Sequence, residues 1–150
     1  MDFTASAPLT ADADRVFAEL VELGTYPEWL GLVHGADPTP AHDEDPGPAW
    51  MVELGIAIGP FKKTKTVRMV RTEKVAPKLA RFERMEHDGR EHSPWVLVAG
   101  VEVADSGSLF TMDLHYGGNL NFPGVEALLR EEVRRAGGRL EERLASGSGV

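Results

Sequence analysis

The sequence predicts an α+β domain in which one antiparallel sheet has its apolar face covered by a long C-terminal helix. Three observations predict it. An alternating strand at the start runs straight into two short helical segments, the middle of the chain switches to a period of two, and the last stretch repeats its apolar residues at helical spacing.

Over residues 2–8, Phe3, Ala5 and Ala7 alternate with Thr4 and Ser6, the pattern of a half-buried strand. Thr10 and Asp12 then offer caps for a helix on which Ala13, Val16, Phe17, Leu20 and Val21 form one apolar face, with Gly24 beyond its end. Pro27 fits the first turn of a second short helix, with Tyr26 and Trp29 projecting nearby. Residues 35–48 are rich in proline, glycine and acid around Asp43-Glu44-Asp45 and read as a mobile loop.

Beyond this loop Trp50, Val52, Leu54, Ile56 and Ile58 share one face of a strand that ends at Gly59-Pro60. Further strands are predicted over 63–74, 79–87, 95–103 and 108–116. Turns at Ala76-Pro77, Asp88-Gly89 and Asp105-Ser106-Gly107 are short enough for hairpins. On the last strand Phe110, Met112, Leu114 and Tyr116 lie opposite Thr111, Asp113 and His115.

The closing segment places Val125, Leu129, Val133, Ala136, Leu140 and Leu144 on one face of a helix, with arginines and glutamates on the other. Roughly 20 residues at a rise of 1.5 Å make a rod about 30 Å long, enough to cross a sheet. Gly137-Gly138 lies inside this pattern at a cost of roughly 1 kcal/mol per glycine relative to alanine, which predicts a bend or a close backbone approach. Residues 1–145 thus read as one domain and 146–150 as a disordered tail.

Composition narrows the function classes. A chain of 150 residues buries roughly two-thirds of the surface it exposes when unfolded, so one core, or one core around one cavity, is expected. The absence of cysteine excludes disulfide scaffolds, thiolate zinc sites and cysteine nucleophiles. Met1-Asp2-Phe3-Thr4 lacks the features of a secretory leader and no stretch is apolar enough to span a bilayer, so a cytoplasmic protein with no integral membrane association is expected.

The net charge of −8 argues against sequence-independent nucleic-acid binding, which needs clustered lysine and arginine. Lys62-Lys63-Thr64-Lys65 is the local exception, and it also reads as a solvated strand end. His34, His42, His87, His92 and His115 show no compact metal-ligand spacing, so no metal is expected. No phosphate loop or Gly-x-Ser-x-Gly elbow occurs, and no cofactor is expected.

Ala13-Asp14-Arg15-Val16-Phe17-Ala18-Glu19-Leu20, the following Tyr26-Pro27-Glu28-Trp29 and the closing helix together resemble the START/Bet v 1-like superfamily, the polyketide cyclase/dehydrase and lipid-transport group. The resemblance covers nearly the whole chain. It implies a helix-grip fold, a curved antiparallel sheet of about six to seven strands wrapped around the C-terminal helix with two short helices after the first strand. It also implies a cavity between sheet and helix, and it is nearly silent on what the cavity does.

By strand parity and helix period, residues placed around such a cavity are Trp29, Leu54, Met69, Phe82, Trp95, Leu97, Phe110, Met112, Leu114, Leu129 and Val133, each of which is equally well ordinary core. Tyr26 joins them, and the resemblance puts it with Trp29 at the cavity mouth, as an aromatic gate whose Tyr26 hydroxyl donates or as a structural plug. Arg68, Arg71, Arg81 and Arg84 would demand an anionic or oxygen-rich ligand if they pointed inward, and would pair with Glu73, Glu83 or Glu86 if they pointed out. Asp113 and His115 could form an acid–base pair or simply a solvated strand face.

Three functions follow in order: carriage of a hydrophobic small molecule, lipid or polyketide-like; a cofactor-independent cyclase, aromatase or dehydrase in the same cavity; and an interaction module with no ligand.

Overall fold

A computed structural model of the chain describes residues 1–119 and 123–147. The alternating segments form a seven-stranded sheet: β1 (Asp2–Leu9), β2 (Val33–Thr39), β3 (Ala49–Ile58), β4 (Phe61–Val75), β5 (Leu79–Arg84), β6 (Trp95–Ala104) and β7 (Gly107–Tyr116). Its order is β1-β7-β6-β5-β4-β3-β2 and every pairing is antiparallel. β2 to β7 run as a meander, and β1 joins it beside β7. The first two strands therefore occupy opposite edges, and α1 (Ala13–Leu20) with the 3-10 helix Leu23–Glu28 carries the chain from one edge to the other.

Cross-strand register puts the predicted apolar positions on one face. Trp50 lies opposite Met69, Val52 opposite Val67, Phe82 opposite Leu97, and Leu97 opposite Leu114. That face is covered by the short helices and by α2 (Val125–Gly147), whose Leu129, Val133, Ala136, Leu140 and Leu144 are buried. The result is the helix-grip α+β arrangement. Among the described residues no helix is long and apolar enough to cross a membrane.

The glycine pair in α2 marks a close approach. A Cβ on Gly137 would stand 3.0 Å from the Ala7 Cβ and 3.3 Å from Leu9 Cδ2, whereas one on Gly138 would meet nothing within 4 Å. The helix backbone thus rests directly on β1 at Gly137. Nearby, the Glu141 carboxylate accepts the Thr10 and Ala11 N–H groups at 2.6 and 3.0 Å and the Thr10 hydroxyl, tying α2 to the entrance of α1.

Several local expectations are corrected. Asp12 occupies the N-cap of α1 but makes no side-chain cap bond, and Thr10 is engaged by Glu141 instead. The second short helix begins at Leu23, so Pro27 falls near its end rather than in its first turn. β5 stops at Arg84 because the chain turns away, with His87 in the left-handed region at φ 55°. Residues 35–39, expected as part of a mobile loop, belong to β2. The strand tolerates Pro38 because it is an edge, where one row of backbone groups needs no partner. α2 continues through Gly147; residues 148–150 of the expected tail, and Asn121 and Phe122 before the helix, lie outside the described residues.

The glycine pair yields a direct test. Gly138→Ala is expected to raise unfolding free energy by about 0.5–1 kcal/mol through better helix propensity. Gly137→Ala is expected to give no gain or a loss, because its Cβ must push Ala7 aside. Urea denaturation of the two variants beside the parent checks this.

Candidate ligand cavity

Between the sheet and α2 the side chains leave a cavity of about 90 Å³. Of the positions read from the sequence, Leu54, Met69, Trp95, Leu97, Met112, Leu114, Leu129 and Val133 are on its wall. Others that sequence reasoning missed complete it: Phe3 from β1, Leu23, Leu30 and Leu32 from the crossing segment, Val33 from β2, Val52, Gly55 and Ile56 from β3, Lys63 and Lys65 from β4, and Val96 from β6. Parity on β3 and β4 could have found Val52, Ile56, Lys63 and Lys65. Nothing in the irregular stretch around Leu30 signals its direction.

Tyr26, Trp29, Phe82 and Phe110 are not on the wall. They form a packed aromatic wedge beside it, each fully buried. Tyr26 and Trp29 lie with ring centroids 4.3 Å apart, Tyr26 meets Phe82 edge-on at 5.7 Å, and Trp29 meets Phe110 edge-on at 5.9 Å. Trp50 extends the cluster by an edge contact with Phe82 at 5.8 Å. Such contacts add to the burial of the rings. The reading of Tyr26 as a gate with a hydroxyl to offer is therefore corrected: the hydroxyl donates to the Leu20 carbonyl at 2.7 Å, and burial pushes its pKa well above the ordinary phenol value. Trp29 likewise spends its indole N–H on Thr25 Oγ1 at 3.2 Å.

No protein-family model matches the sequence, and no curated protein matches it. Solved structures do match in shape. TTHA0849 from Thermus thermophilus superposes with a TM-score of 0.67 at 17% identity, over 99% of each chain. Major latex-like protein 151 from Panax ginseng gives 0.66 at 13% identity, covering 95% of this chain and 96% of that one. Ara h 8.0201 gives 0.61 at 15% identity, covering 97% and 98%. This chain has the Bet v 1-like fold. At these identities the likeness speaks for architecture alone.

None of the four strand arginines is on the cavity wall. Arg71 donates to the carbonyl of Val21, the C-cap of α1, where a cation meets the negative end of the helix dipole. Arg81 pairs with Glu83 at 3.2 Å, and Arg84 with Glu86 at 2.5 Å. Arg68 finds a partner that strand-based reasoning did not consider. Its guanidinium grips Asp45 through two bonds of 3.2 and 2.7 Å and also donates to the carbonyls of Met85 and Pro40. The Asp45 side chain has no exposed surface and also receives the His42 N–H and the His87 ring, both at 2.7 Å. The acidic loop is thereby latched to the sheet. The Arg68 hydrogen bonds hold the Asp45 carboxyl well below the usual aspartate range, against the opposing effect of burial.

Asp113 and His115 are exposed and engaged with β1, through the Thr4 hydroxyl and Asp2 respectively, rather than with each other. The fold also brings His42, Glu44 and His87 together, with possible ligand atoms within 4.8 Å of one another, although their sequence spacing pointed to no metal site. The two imidazoles stack at 4.0 Å and 9°, so their in-plane lone pairs run side by side rather than converging on one ion.

Two predictions concern stability. A folded-state pKa below the unfolded one makes the Asp45 contribution complete above about pH 4 and weaker as pH falls further. Asp45→Asn is expected to cost about 2 kcal/mol at pH 7 and to flatten the acid limb of stability against pH, read by urea denaturation across pH 2.5–7. Tyr26→Phe is expected to cost about 1 kcal/mol of stability while leaving ligand affinity unchanged, measured by thermal unfolding beside a binding titration.

Proposed function

We propose that this chain binds or carries a hydrophobic small molecule, lipid-like or polyketide-like, in the cavity between the sheet and α2. The observation that carries this reading is the contrast across one apolar face: the aromatic wedge fills its share of the space, while the neighbouring share is left as an apolar-walled void. A void forfeits the dispersion contacts its lining would otherwise make, so an apolar guest restores them. Removal of its surface from water contributes roughly 25 cal/mol per Å². A filled interior would have favoured an interaction module.

A cyclase in the same cavity needs a proton-moving group facing the guest. Tyr26, the strand arginines, Asp113 and His115 are committed elsewhere, and Lys63 and Lys65 are the ionisable side chains on the wall. That set supports holding a molecule more readily than cyclising one.

Native mass spectrometry of the purified protein, compared with its denatured mass, is expected to reveal an apolar small molecule that leaves on denaturation. Leu114→Trp, at a partly exposed place on the wall, is expected to lower affinity for any such guest at least about tenfold by filling the space. Undiminished binding by a folded Leu114→Trp protein would count against the cavity as the site.

A further inference from the structure

We infer that the cavity takes an amphipathic anion, its apolar body against the wall and its carboxylate held by Lys63 and Lys65. This deepens the ligand-binding reading above and rests on it.

The inner face of β4 reads Lys63, Lys65, Val67 and Met69. Register fixes the two lysines inward, since Lys65 lies opposite Leu54 and Lys63 opposite Ile56, both wall residues. Side chains two positions apart on a strand stand about 7 Å from each other on one face, close enough to share one anionic group. The strand thus runs from a cationic end near its hairpin to an apolar end deep in the core.

Lys63 and Lys65 are the strand cations on the cavity wall, and they hold no carboxylate among the described residues. Among the described residues no ion pair involves Lys63 or Lys65, whereas Arg68, Arg81 and Arg84 each hold a carboxylate. Lys63 has only neutral partners in view: its ammonium donates to the Asn119 carbonyl at 3.3 Å and lies 5.7 Å from the centre of the Tyr116 ring. Both lysines are half-buried, where an ammonium has lost part of its water.

The third observation is Trp95. It lies on the cavity wall and stacks on Tyr116 at 4.2 Å, so the wall residues Lys63 and Trp95 are joined behind the wall by the Tyr116 ring. Its Nε1–H is buried and meets no acceptor among the described residues. An unsatisfied buried donor is costly, and this one stands behind the wall rather than in the open space. Two inward ammonium groups with no carboxylate partner select a negatively charged acceptor, and a purely hydrocarbon guest would leave both without a counter-ion.

The test uses two matched pairs of probes that differ only in charge at the polar end, decanoate with 1-decanol and 1-naphthaleneacetate with 1-naphthaleneethanol, titrated by calorimetry at pH 7. In at least one pair the anion is expected to bind about tenfold or more tighter than the alcohol. Lys63→Met/Lys65→Met is expected to remove that preference while alcohol binding stays within about twofold. Circular dichroism confirms that the variant is folded, and Lys63→Gln/Lys65→Gln replaces it if it is not. Equal binding of anion and alcohol, or a preference that survives loss of both lysines, overturns the anionic end and leaves the cavity reading standing. Failure of all four probes to bind overturns both.

Discussion

The wedge of Tyr26 and Trp29 decides where the space under α2 is filled and where it is left open. A seven-stranded sheet offers one wide apolar face, and a single helix resting on β1 through Gly137 cannot cover all of it. The crossing segment from β1 to β2 supplies the remainder, and its two largest rings are driven into Phe82 and Phe110. Both rings have their polar atoms satisfied within the crossing segment itself, by Leu20 and Thr25, so they can be buried without drawing on any group from the cavity. Other residues of the same segment, Leu23, Leu30 and Leu32, then form one wall of the remaining space.

The opposite face of the sheet is managed differently. Val70 and Arg68 are buried there although their parity points them away from the helices. The loop carrying Asp45 lies over Arg68, and the Arg68–Asp45 pair, with four further hydrogen bonds to its two members, makes that cover specific. A buried pair is tolerable when its remaining donors and acceptors are met, and here they are. The same loop brings His42 against His87, so the region that looked least ordered in composition is among the most heavily hydrogen-bonded surfaces of the chain.

Within the cavity, charge is graded along β4. Inward lysines at the hairpin end and inward Val67 and Met69 at the other give the space a direction, with an apolar depth and a cationic rim. Long lysine stems suit such a position, because their methylenes can line apolar surface while the ammonium reaches toward solvent or an anion.

Periodicity by itself determined the strands from Trp50 onward, the long amphipathic helix and the apolar face they share, because a side chain's direction in regular structure follows from its position in the repeat. It determined eight wall positions for the same reason, and parity would have shown Lys63 and Lys65 as inward had they not read as a surface charge run. The tertiary structure alone decided the rest. Whether Phe82 and Phe110 touch a guest or a neighbour depends on how far Tyr26 and Trp29 penetrate, and that depth is set by packing between segments distant in sequence. β2 carries no alternation and becomes a strand only because β3 offers it backbone partners. Asp45 reaches Arg68 across 23 positions of chain, a pairing that no local pattern encodes because it depends on where the loop folds back over the sheet.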